Sequence, residues 1–254
     1  MKTLGKSTIS TSAIVSAATL SLLLANAIPA VAASLTLNSV TGSWANPIGG
    51  TSINGLGTDE IRWGTPALFG SEQSGFKFDS AAPPSVIIDT ETNFLLGTFT
   101  HFNFPVSSGT GPSAVDLDVS LDIGSIQNFK YTFNIAETLN GPFVTCPSFQ
   151  ISNTPCDDRI TFGSGFTDQT FLIDGEEFTL QLAGFSSTAN SLNPISSLVT
   201  EENRASTAFL FGRITTPVNP GPGTPVSTPE PGALIGFSLL GLYWFNRRPK
   251  YQQS

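Results

Sequence analysis

The chain has 254 residues, with 19 Asp and Glu against 11 Lys and Arg and a formal net charge of -8. That balance excludes the basic stripe with which a nucleic-acid binder neutralises phosphates, and it disfavours electrostatic docking on anionic lipid. Only 12% of the residues are charged, whereas 20 are Phe, 24 Gly and 18 Pro, a usage that favours strands and turns over long helices.

Residues 1–33 open with the basic Lys2 and Lys6, continue through an apolar, small-residue run and close on Ala30-Val31-Ala32. That order predicts a signal peptide, export across a membrane and a mature chain beginning near Ser34. Residues 34–214 then form one body, long enough for a single domain with a sizeable core. Its predicted strands cover 35–40, 60–63, 75–78, 94–106, 114–123, 128–136, 159–162, 169–173, 177–185 and 207–214. The clearest alternation sets Val115, Leu117, Val119, Leu121 and Ile123 against Asp116, Asp118, Ser120 and Asp122. One face is apolar and the other wet, so the three aspartates read as a solvated face. Phe129, Tyr131, Phe133 and Ile135 repeat the pattern after a break at Gly124-Ser125-Ile126, which predicts a hairpin. Asp174-Gly175 predicts a second tight turn.

Several residues in this body carry candidate chemistry. Trp63 stands in Arg62-Trp-Gly-Thr-Pro66, where the following Gly and Pro predict exposure and a flat face for a glycan; Trp44 and Tyr131 are lesser candidates. Cys146 and Cys156 predict one disulfide pinning a loop, since the chain holds a single His and the spacing is not that of a redox pair. Asp157 and Asp158 follow that loop and are the candidate calcium ligands, although no calcium-loop motif frames them. The lone histidine, His101, lies in Gly97-Thr-Phe-Thr-His-Phe-Asn-Phe-Pro105. On a strand, Phe99, His101 and Asn103 share one face, and Thr100, Phe102 and Phe104 share the other. A structural His101 is the first reading, with ligand binding and catalysis left open. The body has no Gly-x-Ser-x-Gly elbow to supply a nucleophile.

Thr100-His101-Phe102-Asn103 resembles the THxN motif of the choice-of-anchor K family of exported bacterial proteins. Arg62-Trp-Gly-Thr-Pro66, Ser74-Gly-Phe-Lys-Phe78 and Cys156-Asp-Asp-Arg-Ile-Thr-Phe162 are similar to that family's other landmarks, in the same order. The resemblance implies a β-rich exported domain held by one of several alternative C-terminal anchors, and it implies no activity.

Residues 215–227 form a Pro-, Gly- and Thr-rich linker, extended and partly stiff. Residues 228–250 then join Pro229-Glu230-Pro231 to an apolar run over 233–245 and a basic stop at Arg247, Arg248 and Lys250. The run is shorter than the roughly 20 residues that span a bilayer, so it predicts a transient transmembrane hold with a cytoplasmic C-terminus. The grammar resembles the PEP-CTERM tail, which implies processing by an exosortase-type membrane enzyme.

These readings predict an all-β chain, a single antiparallel, jelly-roll-like β-sandwich between a signal peptide and a short apolar sorting helix. They predict a non-enzymatic cell-surface or extracellular-matrix protein, structural or adhesive, among extracellular polysaccharides. A secreted glycan-binding module, with or without calcium, is the alternative, and a secreted hydrolase the third reading.

Overall fold

The computed structural model describes residues 32–67, 71–81, 85–139, 144–152, 155–163 and 169–216. Residues 1–31, which carry most of the predicted signal peptide, and the chain from 217 on, with Pro229, Glu230, Pro231, Arg247 and Arg248, lie outside the described residues. Among the described residues there is no helix, and every paired strand is antiparallel.

A six-stranded sheet runs in the order β10 (Gln169–Ile173), β11 (Glu176–Ser186), β13 (Arg204–Thr215), β6 (Asn93–Asn103), β4 (Ser74–Ser80), β3 (Glu60–Trp63). A five-stranded sheet runs in the order β12 (Ser197–Thr200), β9 (Asp158–Phe162), β8 (Ile126–Ala136), β7 (Pro112–Asp122), β2 (Ser39–Gly49). A two-stranded ribbon of β1 (Ser34–Leu37) and β5 (Val86–Asp89) adds Leu37 and Ile88 to the core.

The two large sheets meet through aromatic rings, giving a β-sandwich-like fold. Trp44 of β2 packs on Phe76 of β4 with centroids 5.1 Å apart, and Phe99 of β6 stacks on Phe133 of β8 at 5.5 Å. Phe162 of β9 stacks on Phe185 of β11 at 4.7 Å. Trp44 is fully buried because its indole N–H finds the Asp59 carbonyl at 3.0 Å, which removes the polar cost of placing it in the core.

The predicted alternations hold. Val115, Leu117, Val119 and Leu121 are buried, and the aspartates between them lie on the outer face, where Lys130 pairs with Asp116 and Asp118 at 3.6 and 3.4 Å. β7 and β8 form the expected hairpin, and Asp174 and Gly175 both take positive φ between paired Ile173 and Glu176, as a two-residue turn requires.

Three expectations change. The predicted strand 35–40 divides at Asn38, its halves joining different sheets. β2 then continues past the expected end at residue 40 through Asn46 and Pro47, which sit in a bulge, and the edge position of β2 tolerates a proline. β5 and β12 are additional strands of four residues each, too short for an alternation to register.

Phe99 touches Trp44, Phe76, Phe133 and Phe185, so it ties both sheets together. Phe99→Ala should destabilise the body by about 3–5 kcal/mol, read as a lowered urea midpoint at unchanged slope.

Candidate functional site

The inward row of β6 places Phe99, His101 and Asn103 on one face, as predicted, with both polar residues fully buried. They do not bond to each other. His101 Nδ1 shares a hydrogen bond with Thr200 Oγ1 at 2.8 Å, and Asn103 Nδ2 donates to the Thr200 carbonyl at 3.0 Å. Thr200 ends β12, in the opposite sheet, so these two motif residues staple the sheets together. Thr100 faces out and bonds across to Thr207, and Phe102 lies beneath the Arg62 guanidinium at 3.4 Å. Burial disfavours an imidazolium and pushes His101 down to about 3, so the ring is neutral.

Cys146 and Cys156 form the expected disulfide, with Cα atoms 5.3 Å apart. Asp157 caps the loop it closes: one carboxylate oxygen accepts the N–H groups of Ile151 at 2.6 Å and Ser152 at 2.8 Å, and the other meets the Ser152 hydroxyl. Asp158 has different partners, its Oδ1 accepting the Thr138 N–H at 2.7 Å. The two candidate calcium ligands therefore serve separate surroundings, and the pair makes no common site. Among the described residues no three His, Cys, Asp or Glu side chains are grouped to hold a metal ion.

The structure instead joins Asp158 to Glu137 and Glu202. Burial, and then the charges of Asp158 and Glu202, push the Glu137 carboxyl up to about 8. Asp158 is pushed up to about 7, again by burial first; the Thr138 N–H pulls it back, and Glu202 and Asp157 add repulsion. Glu137 also lines a cleft of about 720 Å³, together with Val106, Gly111, Ile135, Leu139 and Val144.

Trp63 corrects an expectation. It is fully buried, edge-on to Phe76 at 4.7 Å and roughly parallel to His101 at 6.4 Å, so it presents no face to a glycan. The Gly and Pro that suggested exposure follow the strand, whereas Trp63 falls on the inward row after Ile61. Trp44 and Tyr131 are buried too. Only the indole N–H of Trp63 has a role left to explain, because it is buried without an acceptor.

Glu137, Thr138, Thr200 and Glu202 were missed from sequence. The only signal for Glu137 is parity, one more step of two beyond Phe129, Tyr131, Phe133 and Ile135, although it lies past the end of β8 with its side chain exposed. Thr200 and Glu202 sit at and just beyond a four-residue strand that offers no such row. No protein-family model matches the chain, and a search of curated proteins finds no match.

The raised carboxyls have a consequence for stability. The folded state holds protons that an unfolded Asp or Glu has lost, so stability falls as pH rises through the folded pKa values. His101 works oppositely, its contribution being lost as pH falls below the ordinary value of 6.5 toward about 3. Between pH 6.5 and about 8 the carboxyls dominate the difference. Asp158 carries more of it than Glu137, which is exposed enough to rehydrate. Urea midpoints should therefore decline from pH 6.5 to 8, and Asp158→Asn should flatten the decline; an unchanged slope in that variant would show that Asp158 is ionised throughout.

Proposed function

We propose that this chain is an exported protein of the choice-of-anchor K type, with a non-enzymatic, structural or adhesive role at the cell surface or in the extracellular matrix. The reading rests above all on the disulfide between Cys146 and Cys156, in a chain that also carries a leader and a sorting tail. Such bonds persist in oxidising compartments outside the cytosol. The acidic outer face of β7 suits a solvated surface protein. The sandwich is read as jelly-roll-like, and extracellular polysaccharide is its proposed surroundings.

The C-terminal segment is proposed to hold the body at the membrane transiently, until an exosortase-type enzyme cuts near Pro229-Glu230-Pro231. The hydrolase reading loses support because its best base, His101, is sealed from solvent, committed to Thr200 and far less basic than a free imidazole. The glycan reading loses the aromatic faces on which it was based.

Mass spectrometry of the surface-released protein tests the sorting scheme. The expected species starts near Ser34 and ends near Pro229. A released form that retains Arg247 and Arg248, or a mature protein confined to the cytoplasm, would overturn it.

A further inference from the structure

The outer face of the six-stranded sheet carries a second groove, at the other end of β6 and β13 from His101 and Asn103. Leu180, Leu182, Phe94 and Ile214 belong to the core, so their strand neighbours Gln181, Asn93 and Arg213 face outward. Register sets Gln181 of β11 beside Arg213 of β13, and Arg213 beside Asn93 of β6. The three form one row across adjacent strands, about 10 Å long at the ordinary strand spacing. The other wall is the loop before β12, which supplies Leu192, Asn193 and Pro194. Mutual backbone hydrogen bonds of 2.8 Å between Phe185 and Ile195 hold that loop down, with an Asn93 Nδ2 bond to the Leu192 carbonyl at 3.1 Å. Gly184 permits the approach, because its φ is +137° and a Cβ there would lie 2.5 Å from the Ile195 carbonyl oxygen. The groove encloses about 500 Å³, within the range of small-ligand sites.

Its lining is rich in uncommitted hydrogen-bonding groups. Among the described residues the side-chain amides of Gln181 and Asn193 make no hydrogen bond, and Asn93 Oδ1 accepts none. Arg213 commits Nη2 to Glu91 Oε2 at 2.9 Å, which balances its charge and leaves Nη1 without a partner; its Nε is buried and out of a ligand's reach. Leu192, 84% exposed, supplies an apolar surface with Pro194 and Ala183.

These groups select among ligand chemistries. No carboxylate lines the groove and its one cation is already paired, so neither a metal ion nor an anion finds a counter-charge there. A wholly apolar ligand would strip water from the amides and give nothing back. A peptide adding to the sheet needs an open strand edge, and β11, β13 and β6 are each paired on both sides. A ligand that displaces the water must both donate and accept, as a sugar hydroxyl does, and the C–H face of its ring suits Leu192 and Pro194.

We propose that this groove binds an uncharged pyranose chain, with Gln181, Asn193, Asn93 and Arg213 Nη1 on its hydroxyls and Leu192 and Pro194 against a ring face. The inference deepens the adhesive reading and rests on it, and it uses none of the buried aromatic rings.

Calorimetric and NMR titration of the full chain with cellotetraose, mannotetraose and the acidic tetragalacturonate at physiological salt tests this. At least one neutral tetrasaccharide should saturate, and its affinity should be unchanged in roughly 1 M sodium chloride, where charge interactions are screened. Gln181→Ala and Asn193→Ala should each weaken it by about fivefold, the worth of one neutral hydrogen bond. Leu192→Ser should weaken it too, and at 84% exposure that change leaves the fold intact. Asp118→Asn, on the outer face of the other sheet, should change nothing. No saturation by either neutral sugar, tighter binding of tetragalacturonate, or full affinity in the Gln181→Ala and Asn193→Ala variants would each overturn the proposal. A released protein that ends near Pro229 yet binds neither neutral sugar would sink this inference alone, whereas sugar binding by a chain that is never exported would sink the sorting scheme alone.

Discussion

A β-strand turns every second side chain inward whether or not that side chain is apolar, and the polar end of this molecule follows from that constraint. Two inward rows begin in rings and aliphatic groups and finish in polar ones, Phe99 to His101 to Asn103 and Ile160 to Asp158, whereas the row of β8 stays apolar to Ile135 and Glu137 follows it, exposed, past the strand end. Strand register lines these endings up. Ile135 pairs with Ile160 across β8 and β9, Thr200 pairs with Asp158 across β12 and β9, and Phe76 pairs with His101 across β4 and β6. Core and candidate site are therefore two ends of one interior, and the order of residues along each strand decides which end is which.

The two ends are held by different physics. At the aromatic end, Trp44, Phe76, Phe99, Phe133 and Phe185 interlock, and their stabilisation comes from apolar area removed from water. At the polar end, Thr200 receives His101 and Asn103 on its hydroxyl and carbonyl, which joins the sheets by direction as well as contact. Yet Trp63 Nε1, His101 Nε2, Asn103 Oδ1 and Asp158 Oδ2 are buried without partners. Unmet polar atoms in such number weaken a fold, and apolar residues in the same rows would pack with less penalty. Trp63 and His101 both pack on Phe76, so these unmet atoms begin where the aromatic end stops, and they mark a place where local stability yields to another requirement.

The sequence was most legible where periodicity was long. The rows of β7 and β8, the hairpin between them, the Asp174-Gly175 turn, the facing of His101 and Asn103 and the disulfide could all be read from spacing and turn chemistry. The readings that failed share a cause. The exposure expected of Trp63 rests on its neighbours Gly64 and Pro66, whereas its parity with Ile61 decides its facing; the pairing expected of Asp157 and Asp158 rests on adjacency, whereas Asp157 turns into the disulfide loop and Asp158, the first residue of β9, turns to Thr138. Thr200 was hidden in a strand too short to show a pattern, and its role depends on β6, about a hundred residues earlier in the chain. Contacts at that separation are set by sheet order, which a single chain's periodicity does not contain.

The disulfide loop and the polar end are also one mechanical unit. The Thr138 hydroxyl lies 2.9 Å from the Cys156 carbonyl and 3.0 Å from Asp158 Oδ1, and the Thr138 N–H reaches that same carboxylate oxygen. Glu137 is therefore fixed by the residue that follows it, through a carboxylate and a carbonyl that flank the loop's closing cysteine and its capping Asp157. Val144, two residues before Cys146, supplies a wall of the cleft. Closing a loop of this size restricts the unfolded chain by about 3 kcal/mol, but its native consequence is local: through Thr138 it braces the end of β8. Reduction would loosen the Cys156 carbonyl and the Asp157 cap together, and with them the alignment of Thr138 over Asp158. The bracing of the polar end thus calls for the same oxidising surroundings that the proposed export would supply.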